Sequence, residues 1–184
     1  MPNLIQITQK KISVGDKYRI SVNGHEVLKC ARSIWKLYPK LTVTAVQGGP
    51  PVFEIEQRIA ILFQTSFVFN FGQNKYELNT VSWWNRHFRI YMGQDVFEIF
   101  GHRGRKVSVF LNGRQVAWFQ SGAVTFFAGD TYTIHADANV SVDWLIAICL
   151  MWDAAFNRRG KAMINIQFGW LFQARPFDKT WTPL

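Results

Sequence analysis

The residues of this chain that could do chemistry are four histidines, two cysteines and several groups of basic side chains. His25, His87, His102 and His135 are scattered, and none has a His or Cys neighbour at zinc-ligand spacing. His135-Ala-Asp137 would set an imidazole and a carboxylate on one face of a strand, the arrangement a metal or an acid–base pair would need. No Gly-x-Ser-x-Gly, His-Glu-x-x-His or Gly-x-x-x-x-Gly-Lys-[Ser/Thr] occurs. The sequence therefore predicts no catalytic residue, metal or cofactor, and a protein that is not an enzyme. Asp143 and Asp153 bracket an apolar run, where capping and a hydrogen bond to a neighbouring wall are the expected roles.

Basic residues say more. Gly101-His-Arg-Gly-Arg-Lys106 has the Gly-x-x-Gly spacing of a KH-type backbone clamp, but that clamp joins two helices, and here alternating apolar runs lie on both sides. What remains is a basic loop in which Arg103, Arg105 and Lys106, with Arg114 just beyond the next run, are the anion-binding candidates. Arg158-Arg-Gly-Lys161 suits a helix C-terminus, where cations meet the negative end of the dipole. A net charge of +9 points to an anionic partner, nucleic acid or an anionic phospholipid surface alike. Trp83-Trp84 alternate across a strand, so one indole is expected at a surface beside Arg86 and His87.

The element that must position these residues is the stretch from Ser141 to Arg159. Leu145, Ile148, Cys149, Trp152 and Phe156 fall on one helical face, while Trp144, Ala147, Met151 and Ala155 make the opposite face apolar as well. A helix apolar on all sides has to be buried on all sides. The unbroken run from Trp144 to Trp152 is far short of the roughly 20 residues a membrane-spanning helix needs. Ser141 is read as the N-cap, Asp143 sits in the first turn, and Gly160 stops the helix after Arg158 and Arg159. Cys149, mid-helix, reads as a small buried hydrophobe, and it and Cys30 are not expected to form a disulfide framework.

Nearly everything before the helix reads as strand. Period-two runs cover 4–8, 17–22, 26–31, 33–38, 41–46 and 52–56, then 59–71 as one bent strand or two. They continue over 76–84, 87–92, 95–100, 106–111, 115–120, 124–127 and 131–136. Asn23-Gly24 and Asn112-Gly113 are type I′ hairpin turns, since both residues accept positive φ. About a dozen short strands need their edges removed, and closure into a barrel removes them. The prediction is a mainly β fold, a closed antiparallel barrel of about twelve strands around a central hydrophobic C-terminal helix.

Short echoes sharpen this. Gly15-Asp-Lys-Tyr-Arg-Ile20 with its Asn-Gly hairpin, Gly129-Asp-Thr-Tyr-Thr-Ile134, and Asp143-Trp-Leu-Ile-Ala-Ile-Cys-Leu150 followed by Asp153 resemble the LURP-one-related family. That family, with the bacterial YxjI-like proteins, shares the tubby C-terminal fold with phospholipid scramblases. The resemblance runs over roughly residues 3–158 by element order. It implies a tubby-like barrel of twelve strands around a hydrophobic helix. Tubby proteins bind phosphoinositides, which points toward anionic lipid, while the Pro-rich leader and Cys cluster of scramblases are missing here. Some tubby-like proteins are linked to transcription, which keeps a nucleic-acid-associated regulator as the alternative, beside a protein-interaction or stress-response module. The domain is expected over 1–159 with its helix at about 141–157, and 160–184 as a segment docked on the barrel. The N-terminus has no apolar signal-peptide centre, so a cytoplasmic protein, peripheral to a membrane at most, is expected.

Overall fold

The computed structural model describes residues 1–10, 17–33, 40–59, 65–82, 86–121, 131–156 and 174–184. Twelve strands precede one helix: β1 (Asn3–Lys10), β2 (Lys17–Val22), β3 (His25–Ser33), β4 (Lys40–Ala45), β5 (Pro51–Ile59), β6 (Thr65–Phe71), β7 (Asn74–Ser82), β8 (His87–Met92), β9 (Asp95–Gly101), β10 (Lys106–Leu111), β11 (Arg114–Ser121), β12 (Thr131–Ala136) and α1 (Val142–Phe156). Every strand pairs antiparallel with its sequence neighbour, and β1 closes the barrel on β12. The expected run 59–71 resolves into the end of β5 and the whole of β6. Outside the described residues lie the expected strand at 124–127, most of 33–38, Trp83-Trp84 and 157–173 with Arg158, Arg159, Gly160 and Lys161.

Alternation decides which residues fill the barrel. Ile5, Ile7, Ile20, Val43, Phe53, Ile55, Phe67 and Phe69 are at most 1% exposed, and with their partners on the later strands they enclose α1. From Leu145 to Ala154 every residue of α1 is buried, as a helix without a polar face requires. The Leu145 amide donates to the Ser141 carbonyl, which places Ser141 at the N-cap position. At the start of α1, Trp144 fills a ring nest made by Phe71, Tyr76 and Phe97. Near its end Trp152 meets Phe88, Phe119 and Phe156. Both cysteines are buried thiols, and burial first, the Asp153 carboxylate second, push Cys149 well above the ordinary thiol range.

The two Asn-Gly turns do more than reverse the chain. Asn23 and Gly24 have φ of 50° and 85°, and Asn112 and Gly113 have 52° and 81°, as a type I′ turn demands. Each asparagine also grips the strand on its other side. The Leu4 amide donates to Asn23 Oδ1 at 2.9 Å while the Asn23 amide donates to the Leu4 carbonyl at 2.8 Å. Asn112 repeats the arrangement with Val96, at 2.9 and 3.0 Å.

Candidate functional site

An up-and-down barrel sends its connections alternately to two ends. Four of the turns at the end where α1 begins are tight: Asn23-Gly24, Gly72-Gln73, Gly93-Gln94 and Asn112-Gly113. At the opposite end, where Arg86 lies over the Phe156 ring at 5.4 Å, α1 finishes, and the connections there are mostly longer. Of these, His102–Arg105 is described in full, with its neighbour Arg86.

Charge divides between the ends. Taking the described connections together with the last two residues of each strand and of α1, the finishing end carries Lys10, Lys17, Arg32, Lys40, Arg58, Arg86, Arg103, Arg105 and Lys106. By the same count no acidic residue occurs there among the described residues. The starting end carries Glu26, Asp95, Asp137 and Asp143 against Lys75 and Arg114. Some of these cations have acidic partners. Lys40 pairs with Glu54 at 2.6 Å and Arg58 with Glu77 at 3.5 Å, both acids reaching from further along the wall. Burial lowers the Arg86 pKa, though a guanidinium keeps its charge at neutral pH.

The four anion-binding candidates do not converge. Arg103 and Arg105 are exposed in a single 3-10 turn, in which Gly104 and Arg105 take positive φ of 71° and 61°. Lys106 follows as the first residue of β10, half-buried, with Nζ 4.8 Å from the Phe177 ring centroid and 5.6 Å from Trp118. Arg114 sits at the far end of the β10–β11 hairpin, opposite Leu111, roughly 17 Å away at strand rise. There it donates to Asp137 Oδ2 at 2.6 Å, a carboxylate with no exposure of its own. The structure thus gives the loop three of its predicted cations and gives Arg114 to a structural pair.

His135 and Asp137 also part company. His135 stacks on Trp118 at 4.7 Å, while Asp137 takes the Arg114 guanidinium on one oxygen and the Leu184 amide on the other. Among the described residues no group of three or more His, Cys, Asp or Glu could hold a metal ion. On the outer wall His87 Nε2 and Arg89 Nε share Glu98 Oε1 at 3.2 and 2.8 Å. Burial pushes Glu98 up, but these two neighbours outweigh it and hold the carboxyl below its usual range.

The buried polar centre was only half legible. Asp153 is 6% exposed and accepts from Tyr18 Oη at 2.5 Å and from Tyr132 Oη. Tyr18 and Tyr132 are the tyrosines of the two Gly-Asp-x-Tyr echoes, and β2 and β12 flank β1 on either side. The echo is therefore a pair of clamps on one helix carboxylate. Nothing in the spacing of either motif alone announces that they share a partner.

His102 is a buried group that titrates. It is 6% exposed, bonded through Nε2 to Ser108 Oγ, and burial pulls its pKa down to about 4 from 6.5. The unfolded chain then binds this proton more readily than the folded one between those values. Stability contributed by the neutral ring is present above pH 6.5 and is lost as pH falls toward 4. Urea midpoints measured from pH 7 to pH 4.5 should decline through that window, and His102→Gln should flatten the decline. An unchanged slope in the variant would assign the acid sensitivity to other groups.

A model of the LURP-one-related family matches residues 3–153. Comparison with curated proteins and with solved structures returned no match. The matched span opens on the first residue of β1 and closes on Asp153, the carboxylate that the two echoed tyrosines hold. Matched along this whole span, the chain belongs to the LURP-one-related family.

Proposed function

We propose that the domain is a non-enzymatic binding module that meets anionic phospholipid headgroups with the end of the barrel at which α1 finishes. One observation carries the reading: among the described residues, basic residues collect at the strand ends and connections of that end, and acidic residues do not. Arg103 and Arg105 are exposed there, and the planar fork of a guanidinium suits two phosphate oxygens. No helix is long and apolar enough to cross a membrane among the described residues, so contact through a surface is the mode proposed. Each Lys or Arg near an anionic surface contributes about 1 kcal/mol. Loss of three should weaken binding by about a hundredfold, less whatever Lys106 forgoes by lying against Phe177.

The test is co-sedimentation with phosphatidylserine-containing and with neutral phosphatidylcholine vesicles. It compares the full chain with its Arg103→Ala/Arg105→Ala/Lys106→Ala variant. We expect binding to the anionic vesicles alone, ten- to a hundredfold weaker in the variant and weaker again at high salt. Equal binding to neutral vesicles, or full binding by the variant, would sink the reading. Excess duplex DNA that strips the protein from vesicles and binds it more tightly would transfer the basic end to nucleic acid.

A further inference from the structure

The barrel carries a second apolar surface, on its outside. Phe100 of β9, Phe110 of β10 and Trp118 of β11 alternate with core residues Ile99, Val109 and Ala117, and so face away from α1. Residues 174–184 lie across this surface. The Arg175 guanidinium sits 3.9 Å from the Phe110 centroid. Two residues on, Phe177 stands edge-on to His102 at 5.2 Å and to Trp118 at 5.6 Å. Trp181 Nε1 donates to the Gln115 carbonyl at 3.2 Å. At the far end the Leu184 amide donates to Asp137 Oδ1 at 2.8 Å, and the Ala138 amide returns a bond to the Leu184 carbonyl at 3.0 Å.

The fit is incomplete in a specific way. His102 Nδ1 and Gln115 Nε2 are the buried side-chain polar atoms without a hydrogen-bond partner among the described residues. Their residues are 6% and 7% exposed, one against Phe177 and the other opposite Phe110 in the β10–β11 pairing. A polar atom buried and unpaired costs more than an ordinary hydrogen bond contributes. The segment is also shallow: none of its residues is buried, whereas the barrel closes through strand pairs that do not involve it. It covers this face and leaves two of its buried polar atoms unmet.

We propose that this outer face of β9–β12 is a binding groove for a segment of a partner protein, with residues 174–184 as a resident occupant that the partner displaces. The partner segment carries a cation to lie on Phe110 and, two residues later, an aromatic ring to enter between His102 and Trp118. It also brings polar side chains that accept from Gln115 Nε2 and pair with His102 Nδ1. Its engagement does not depend on the basic end of the barrel meeting a lipid surface.

The probe is a dye-labelled peptide of sequence Ala174–Leu184, titrated by anisotropy into full-length protein. The full-length Phe177→Ala/Trp181→Ala variant, whose own segment is weakened, should bind it at least tenfold tighter than the unmodified protein. Adding Trp118→Ala should abolish the gain. Binding no tighter to the double variant, or a gain that survives loss of Trp118, would overturn the proposal. Hydrogen exchange on the unmodified protein needs no substitution. The Trp181 and Leu184 amides should exchange at least a hundredfold faster than those of Val107 and Val109, and exchange at the same rate would make the segment part of the barrel's own cooperative unit and refute displacement. A dimer held by exchanged segments, seen by light scattering, would also refute it by assigning the groove to a second copy.

Discussion

Asp153→Ala is expected to cost about 3–5 kcal/mol of folding free energy, because it takes one charged acceptor from two buried phenols at once. For a chain of this size that lowers the melting temperature by roughly 10 °C. Tyr18→Phe and Tyr132→Phe should each cost about 1.5–3 kcal/mol, the worth of one hydrogen bond to a charged group. The double Phe variant should cost more than either alone, and more than their sum if the carboxylate is left without donors in the barrel interior. Urea unfolding of the four variants beside the parent decides it. An Asp153→Ala variant within 1 kcal/mol of the parent would show that the carboxylate is not what ties α1 to β2 and β12. The reason to expect a large effect is geometric: α1 offers no other acidic group within its buried span, so the bonds to Asp153 help fix its tilt and rotation inside an apolar wall.

How much of this could be read from the sequence follows from which signals are local. Period-two alternation and an all-apolar helical run are local, and they were enough for the twelve described strands, the closure and the burial of Leu145, Ile148, Cys149 and Trp152. The Asn-Gly turns were legible as turns because positive φ is a property of the dipeptide. Their clasp on Leu4 and Val96 was not, since it depends on which strand lies alongside. Arg114 shows the same limit for the candidate site. In the chain it is eight residues from Lys106, yet a hairpin sends it to the other end of the barrel and into the hands of Asp137. Charge polarity between the two ends is likewise invisible in composition, because it arises only when alternate connections are folded to one side. Ends, neighbours and clasps are topological facts, whereas faces and periods are sequence facts.

Gly101 is where the two kinds of information part most sharply, and it supports the second large prediction. As the first glycine of Gly101-His-Arg-Gly-Arg105 it reads as a flexible loop residue. In the barrel it is the last residue of β9, it has no need of positive φ, and what it lacks is room. A Cβ there would lie 2.6 Å from Trp152 Cη2 and 2.8 Å from Arg86 Cβ, both closer than carbon atoms approach. Gly101→Ala should therefore cost about 1–3 kcal/mol by overpacking. Trp152→Ala alone should cost about 3–5 kcal/mol, since it empties the space among Phe88, Phe119 and Phe156. If the glycine exists to admit the indole, the double variant should cost less than the sum of the singles by at least 1 kcal/mol, because the new methyl then enters space the ring has left. Arg86 Cβ is on the backbone side of that contact and cannot swing away, so relief should be partial rather than complete. Strictly additive costs would mean that Gly101 is constrained by Arg86 and the connection before β8, with Trp152 an incidental neighbour.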